Sequence, residues 1–387
     1  MTYRDRSIET SNRGMSILVM VCRIIVGVLF IFSGLVKAND PQGLAYKMQE
    51  FYDVWKLQPS LRGMMIWLDQ YALMFSVIMI TLEIVVGVAL LIGWKKRLVV
   101  WLLILLMIFF TFLTGYAVLS GKIRTCGCFG DCIPLTAMQS FIKDIVLCIL
   151  GAVIFVGVRY INPALKRAAN FLIIILSVTA VLFIQWYVLQ HNPLVDCLPF
   201  KKSHNIIELR KMPADAVADK VDFMFIYEKN GEKKQFGMSD LPDSSWKFVE
   251  RKDIILEKGR NNEPPIKDFN INTIAGTDTT DAILSQPGYY YLFFVMNVNA
   301  RDAKWLDDFR SVLQYAKQNN RPVYLVASQP SIVNSFFNVD NHFNLPVYSL
   351  DVTALKTASR TDPSLYLMHG PVIENKWGWA DLKKAVK

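Results

Sequence analysis

Apolar residues come in long unbroken runs up to about residue 190 of this chain, and in short ones afterwards. Five runs, at approximately 15–36, 71–93, 98–119, 137–158 and 171–190, reach the roughly 20 residues that a helix needs to cross a bilayer. They lack the alternation of barrel strands, so helices are the predicted spanning form. Between the first two runs, the stretch 43–57 (GLAYKMQEFYDVWKL) reads as an amphipathic helix lying on the membrane surface.

The rhythm changes after residue 193. Two alternating runs, FMFIYEK and EKKQFGM, flank Asn230-Gly231 and predict a hairpin inside a β-rich stretch at 204–265. Further on, predicted strands at 289–296, 322–327 and 346–350 alternate with predicted helices at 301–318, 331–337 and 354–360. Strands at 364–368 and 372–376 and a helix from about 380 close the chain. This order predicts an α/β sandwich. The expected fold is therefore an α-helical membrane bundle of about five spans followed by a C-terminal α/β soluble domain, with a small β-rich segment between them. The expected boundaries are 1–14 for the N-terminal stretch, 15–192 for the membrane domain, 193–267 for the connecting segment and 268–387 for the last domain.

Charge orients this plan. Lys and Arg exceed Asp and Glu by 42 to 33, a formal net charge of +9. The excess falls at the ends of the apolar runs, as membrane proteins place it, and nothing else in the chain points to nucleic acid. Arg4, Arg6 and Arg13, then Lys95, Lys96 and Arg97, then Arg159, Lys166 and Arg167 share one side if the spans alternate. That side is expected to be cytoplasmic. The expected location is a bacterial inner (plasma) membrane, with the loops 37–70 and 120–136 and the whole tail in the periplasm. The first span reads as a retained signal anchor, because it is longer than a signal core and no small-x-small cleavage site follows it. The expected partners are the lipid bilayer and a periplasmic protein.

Four charges at three positions interrupt the spans: Arg23, Glu83, and the neighbouring Lys143 and Asp144. Arg23 lies about 12 Å, and Glu83 about 15 Å, above the cytoplasmic ends of their helices at 1.5 Å per residue. Similar depth makes them an expected ion pair, and Asp144 sits in the fourth span. Such charges either lock helices together or line a polar intramembrane cavity; Arg23, Glu83 and Asp144 are the candidates for the latter.

The densest chemical signal is Cys126-Gly127-Cys128-Phe129-Gly130-Asp131-Cys132, between the third and fourth spans. Gly127 and Gly130 allow the tight backbone that brings sulfurs together. Thr136 is a predicted N-cap for the helix that follows, and a thiol near a helix N-terminus has a stabilised thiolate. A ring between Cys126 and Cys128 would be small and strained, which favours exchange over permanent stapling. Cys132 would then be the resolving thiol. A static disulfide and a three-thiolate metal site, with His191 or Cys197 as fourth ligand, are the alternatives; the absence of a His in the loop argues against metal. Cys22 and Cys148 lie inside spans, and Cys197 follows the fifth span on the loop's side, where it is a disulfide candidate for a leftover cysteine.

These residues carry a resemblance. RIIVGVLFIFSGLVKANDP (23–41) and LEIVVGVALLIGW (82–94) look like DoxX-type membrane proteins. CGCFG (126–130), followed by KDIVL (143–147), resembles the MauE branch of that group. The resemblance covers about residues 15–158. It implies a four-helix membrane core that forms or maintains disulfides in a periplasmic partner, similar in architecture to quinone-linked thiol oxidoreductases. It carries over Cys126 and Cys128 as redox candidates and Arg23, Glu83 and Asp144 as polar positions of the bundle. A quinone is the cofactor it leaves open, and no metal is implied. The last domain is similar to the thioredoxin fold over about 120 residues, with Pro363 at the position of that fold's cis-proline. It departs from that fold where the dithiol belongs: 297–304 (NVNARDAK) contains no cysteine, and none follows Cys197. The expected function is membrane-linked thiol–disulfide redox or maturation of a partner, with a non-enzymatic scaffold carrying a docking domain as the alternative.

Overall fold

The computed structural model describes residues 3–123, 127, 130–229, 231–257, 259–298 and 304–386. Helix α1 (Tyr3–Ala38) is followed by two short helices, α2 (Pro41–Trp55) and α3 (Arg62–Gln70). Then come α4 (Ala72–Ile92), α5 (Lys96–Ser120), α6 (Ala137–Val156) and α7 (Arg167–His191). Five of these helices, α1 (from Arg13) and α4 to α7, are long and apolar enough to cross a membrane. The spans expected from hydropathy all correspond to helices. The predicted surface helix is α2, whose Asp40 N-cap accepts a hydrogen bond from Gly43 N at 2.8 Å and whose Pro41 occupies the first turn.

Glycine permits close helix–helix approach in the bundle. A Cβ on Gly87 of α4 would lie 2.9 Å from the Gly27 carbonyl oxygen of α1. With no hydrophobic drive between helices in lipid, such small-residue contacts and polar bonds hold spans together. Apolar side chains of α1, α4, α5 and α6, among them Val26, Ala89, Leu103 and Ile154, fill the bundle core.

After the short helix α8 (Ile206–Leu209), strands β1 (Lys220–Lys229), β2 (Glu232–Gly237) and β3 (Lys247–Glu257) form an antiparallel sheet of order β2-β1-β3. The expected hairpin is there, with Met224 opposite Gly237 and Lys229 opposite Glu232. The rest of the chain gives β4 (Asn272–Thr273), α9 (Thr280–Leu284), β5 (Tyr289–Val295), α10 (Leu306–Gln318), β6 (Val323–Ala327) and α11 (Pro330–Asn334). It ends with β7 (Val347–Ser349), α12 (Val352–Ala358), β8 (Ser364–His369), β9 (Val372–Gly378) and a 3-10 turn at Trp379–Val386. These strands make one sheet of order β4-β7-β6-β5-β8-β9. β5 pairs parallel with β6 and antiparallel with β8.

β5 reads YYYLFFV without alternation because it is central and covered on both faces. Tyr290, Leu292 and Phe294 enter one core, with Leu355 of α12. Tyr291, Phe293 and Val295 enter the other, with Phe309 and Val312 of α10. Phe293 stacks on Phe309 at 4.2 Å between ring centroids. Fully burying each such ring contributes roughly 2–3 kcal/mol. Phe200, Ile206 and Ile266 also lie in the first core, so both ends of the connecting segment pack with the α/β domain while β1 to β3 stand apart.

The two halves meet through buried charge. Arg360, just after α12, lies 2.8 Å from Asp40 Oδ2 and also pairs with Asp131 Oδ2. Burial works against the guanidinium charge, but Asp40 and Asp131 outweigh it and hold Arg360 above its usual pKa. Lys356 donates to Gln49 Oε1 at 2.8 Å, and Tyr46 OH to Met296 Sδ at 3.2 Å. Gly378 of β9 meets the backbone of α7: a Cβ there would lie 2.4 Å from the Gln190 carbonyl oxygen.

Replacing Arg360 with Met strands two carboxylates in a buried interface, a loss of roughly 3–5 kcal/mol for a broken buried pair. The expected result is a lower thermal midpoint and faster proteolysis between residues 192 and 199. An unchanged cleavage pattern would show that the two halves dock without this pair.

Candidate functional site

The cysteine loop leaves α5 through Gly121, which takes a left-handed φ of 62° as the helix ends. Ile123 is buried with Phe51 of α2 and Ala117 of α5, which pins the loop's first residues beneath the surface helix. Gly127 has φ +64°, and a Cβ there would come 3.0 Å from Lys47 Cγ of α2, so the loop backbone runs close to that helix. Gly130 N bonds back to the Gly127 carbonyl at 2.9 Å. Cys126 and Cys128 lie outside the described residues. At the far end, Thr136 caps α6 in a reciprocal box: its hydroxyl accepts from Gln139 N, and the Gln139 side chain accepts from Thr136 N.

Cys132 and Cys197, 65 positions apart in sequence, form a disulfide with Cα atoms 4.7 Å apart. Cys132 is therefore tied to the root of the tail rather than held as a free resolving thiol beside Cys126 and Cys128. Cys22 and Cys148 are free thiols in α1 and α6. Among the described residues, no cluster of His, Cys, Asp and Glu could hold a metal ion.

Inside the bundle, the ion pair is not the expected one. Glu83 pairs with Lys37 at 2.5 Å, both side chains being almost fully buried. Arg23 instead donates to the Leu91 carbonyl oxygen at 3.1 Å, about two turns away. The reason is register. Gly34 of α1 faces Ile84 of α4, which carries Glu83 to the last turn of α1 and leaves Arg23 opposite the end of α4. Depth counted from assumed span ends missed this, because α1 runs on to Ala38 and makes Lys37 an intrahelical residue. The one available signal was a lysine directly after an apolar run. Asp144 stands 2.9 Å from Lys143 and accepts from Thr114 Oγ1 at 3.0 Å. Glu83 and Asp144 line one small cavity of about 50 Å³ with Lys37, Lys143, Ser33 and Thr111; Arg23 does not.

A second polar space of about 420 Å³ opens where the two halves face one another, lined by Gln49, Met296, Asn297, Lys356 and Asp362 among others. The Asp362–Pro363 bond is cis. Asp362 accepts from the backbone N–H groups of Met296 at 2.9 Å and Asn297 at 2.8 Å. Burial outweighs these two bonds and pushes its carboxyl up to about 6.

Comparison with known proteins now adds to the geometry. Residues 15–157 match the family model described as Methylamine utilisation protein MauE, and this N-terminal bundle is a MauE-like membrane domain. Residues 221–258 match a Domain of unknown function (DUF8463), which coincides with the three-stranded sheet. The curated Protein TlpB of Flavobacterium psychrophilum is 30% identical over 141 residues, 34% of this chain and 35% of that protein. The chain thus spans about a third of the length of the curated relative it matches. No solved structure matches.

Two outcomes follow. Lys37→Met alone leaves Glu83 buried without a cation and is expected to cost roughly 3–5 kcal/mol, whereas Lys37→Met with Glu83→Leu is expected to fold near the native level. Unfolding in detergent measures both; equal losses would rule out a compensating pair. Asp362, with a folded pKa near 6 against 3.8 unfolded, binds its proton more tightly when folded. The stability it confers is fully present below about pH 4, falls between about pH 4 and 6, and is flat above that. Thermal midpoints across this window, compared with Asp362→Asn, check the slope, which the variant should lose.

Proposed function

We propose that this protein carries out thiol–disulfide exchange, or matures a partner's disulfides, through Cys126 and Cys128 at the outer face of a bacterial inner membrane. One observation carries the reading: Cys132 is committed to Cys197, which leaves Cys126 and Cys128 as the remaining cysteines of the loop. A disulfide in that position also suits an oxidising compartment such as the periplasm. The basic residues at the other ends of the spans support a cytoplasmic N-terminus. The MauE-like domain and the TlpB relative support a redox or maturation role.

The α/β domain, from about 268 onward, is read as a thioredoxin-like module without its dithiol, with Pro363 at the position of that fold's cis-proline. It presents a periplasmic protein client to the loop rather than exchanging electrons itself, since no cysteine follows Cys197. The scaffold alternative rests on the docking of this domain through Arg360 against Asp40 and Asp131, which a purely structural protein would also need.

Maleimide trapping in membranes decides between them. Cys126 and Cys128 are expected to switch between labelled and protected states as the redox buffer changes, while Cys132 and Cys197 stay protected. Serine at either loop position is expected to reduce client oxidation to background. Loop thiols that never change state, with serine variants fully functional, would leave the scaffold reading.

A further inference from the structure

The polar space between the two halves has walls whose chemistry selects a ligand. Its volume, about 420 Å³, falls in the range of small-ligand sites. On the α/β side it lies at the carboxyl ends of the parallel strands. Met296 and Asn297 follow β5, Ser328 and Gln329 follow β6, and Val352 opens the helix after β7. In an open α/β sheet, the crevice beyond those strand ends is where ligands bind. Helix α2 covers it from the membrane side with Gln42, Tyr46 and Gln49.

The charges around this space are already engaged, with one exception. Arg360 is held by Asp40 and Asp131. Asp362 accepts from the N–H groups of Met296 and Asn297. Lys356 forms no ion pair among the described residues: its ammonium donates to Gln49 Oε1 at 2.8 Å and lies 4.8 Å from the Tyr46 ring centroid. Burial is the largest influence on this lysine and lowers its pKa, so an anion beside it would offset that cost.

The remaining lining narrows the class. Gln42, Gln49, Asn297 and Gln329 each carry an amide donor and an amide acceptor, the complement of a peptide group. Leu73, Leu189 and Met296 offer a side chain an apolar surface. A phosphate would call for more than one uncommitted cation. A sugar ring stacks on an open aromatic face. Here the Tyr46 face already carries Lys356 and, at 5.5 Å, Arg360, while Trp379 packs against the second core.

We infer that this cavity binds a carboxylate-bearing peptide, with Lys356 pairing the carboxylate. The inference deepens the client-docking role proposed above and rests on it, but not on the thiol chemistry of the loop. The carboxylate belongs either to a chain end or to an acidic side chain, and suitable probes separate the two.

The test is calorimetric titration of the full chain in nanodiscs with acetyl-triglycine, acetyl-Gly-Glu-Gly-amide and the uncharged acetyl-triglycine amide. A charged probe is expected to bind saturably, one per chain, and at least about tenfold tighter than the uncharged one, since charge-assisted hydrogen bonds exceed neutral ones. Preference for acetyl-triglycine assigns the site to a chain end, and preference for the Glu probe to an internal acidic residue. Lys356→Met is expected to erase the difference between charged and uncharged probes, and Lys356→Arg to keep it. Val352→Trp narrows the cavity from an exposed position and is expected to weaken all binding at an unchanged thermal midpoint. No saturable binding of either charged probe, or a preference that survives Lys356→Met, overturns the site. Active loop thiols in a chain that binds neither charged probe would leave the exchange reading standing without this site. Inert loop thiols in a chain that binds one would keep the site and remove the exchange.

Discussion

Arg360 is the charge around which the molecule is assembled. Its side chain is almost fully buried between a membrane-domain carboxylate, Asp40, and a loop carboxylate, Asp131. Asp40 has a second duty, since it also caps α2. One arginine thereby couples the start of the surface helix, the end of the cysteine loop and the α/β domain. A buried guanidinium with two carboxylates is tolerated only where geometry is good on all sides, so this contact constrains how the halves can meet. The cavity at Asp362, the course of the loop over Lys47 and the placement of Cys132 beside Cys197 all lie within the arrangement it imposes.

The bundle solves a different electrostatic problem. Charges in a low-dielectric interior need partners, and here Lys37–Glu83 and Lys143–Asp144 are both found. They sit together on one cavity rather than scattered along the spans.

Much of this plan was legible in the chain. Long apolar runs mark spans because lipid leaves the backbone no other way to satisfy its hydrogen bonds, and the continuous apolar stretch of β5 marks a strand covered on both faces. The Asn230-Gly231 signal placed its hairpin. Other features depend on tertiary contact. The partner of Glu83 follows from the α1–α4 register, which glycine contacts decide and span counting does not. Helix α3, the two-residue strand β4 and helix α9 are too short for periodicity to reveal. Phe200 and Ile206 lie in short mixed stretches, CLPFKK and NIIEL, and only the fold shows that they complete a core built mostly from residues after 265. The tie between Cys132 and Cys197 needs the loop and the tail root side by side, a proximity that spacing alone cannot supply.

That tie has a consequence for biogenesis. Cys132 precedes α6 and Cys197 follows α7, so the bond encloses a complete helical hairpin. It can close only when both ends of that hairpin emerge in the same compartment. A chain that inserted α6 without α7 would hold its sulfurs on opposite faces of the membrane. The crosslink is thus a covalent record of correct insertion, written once the last helix has crossed.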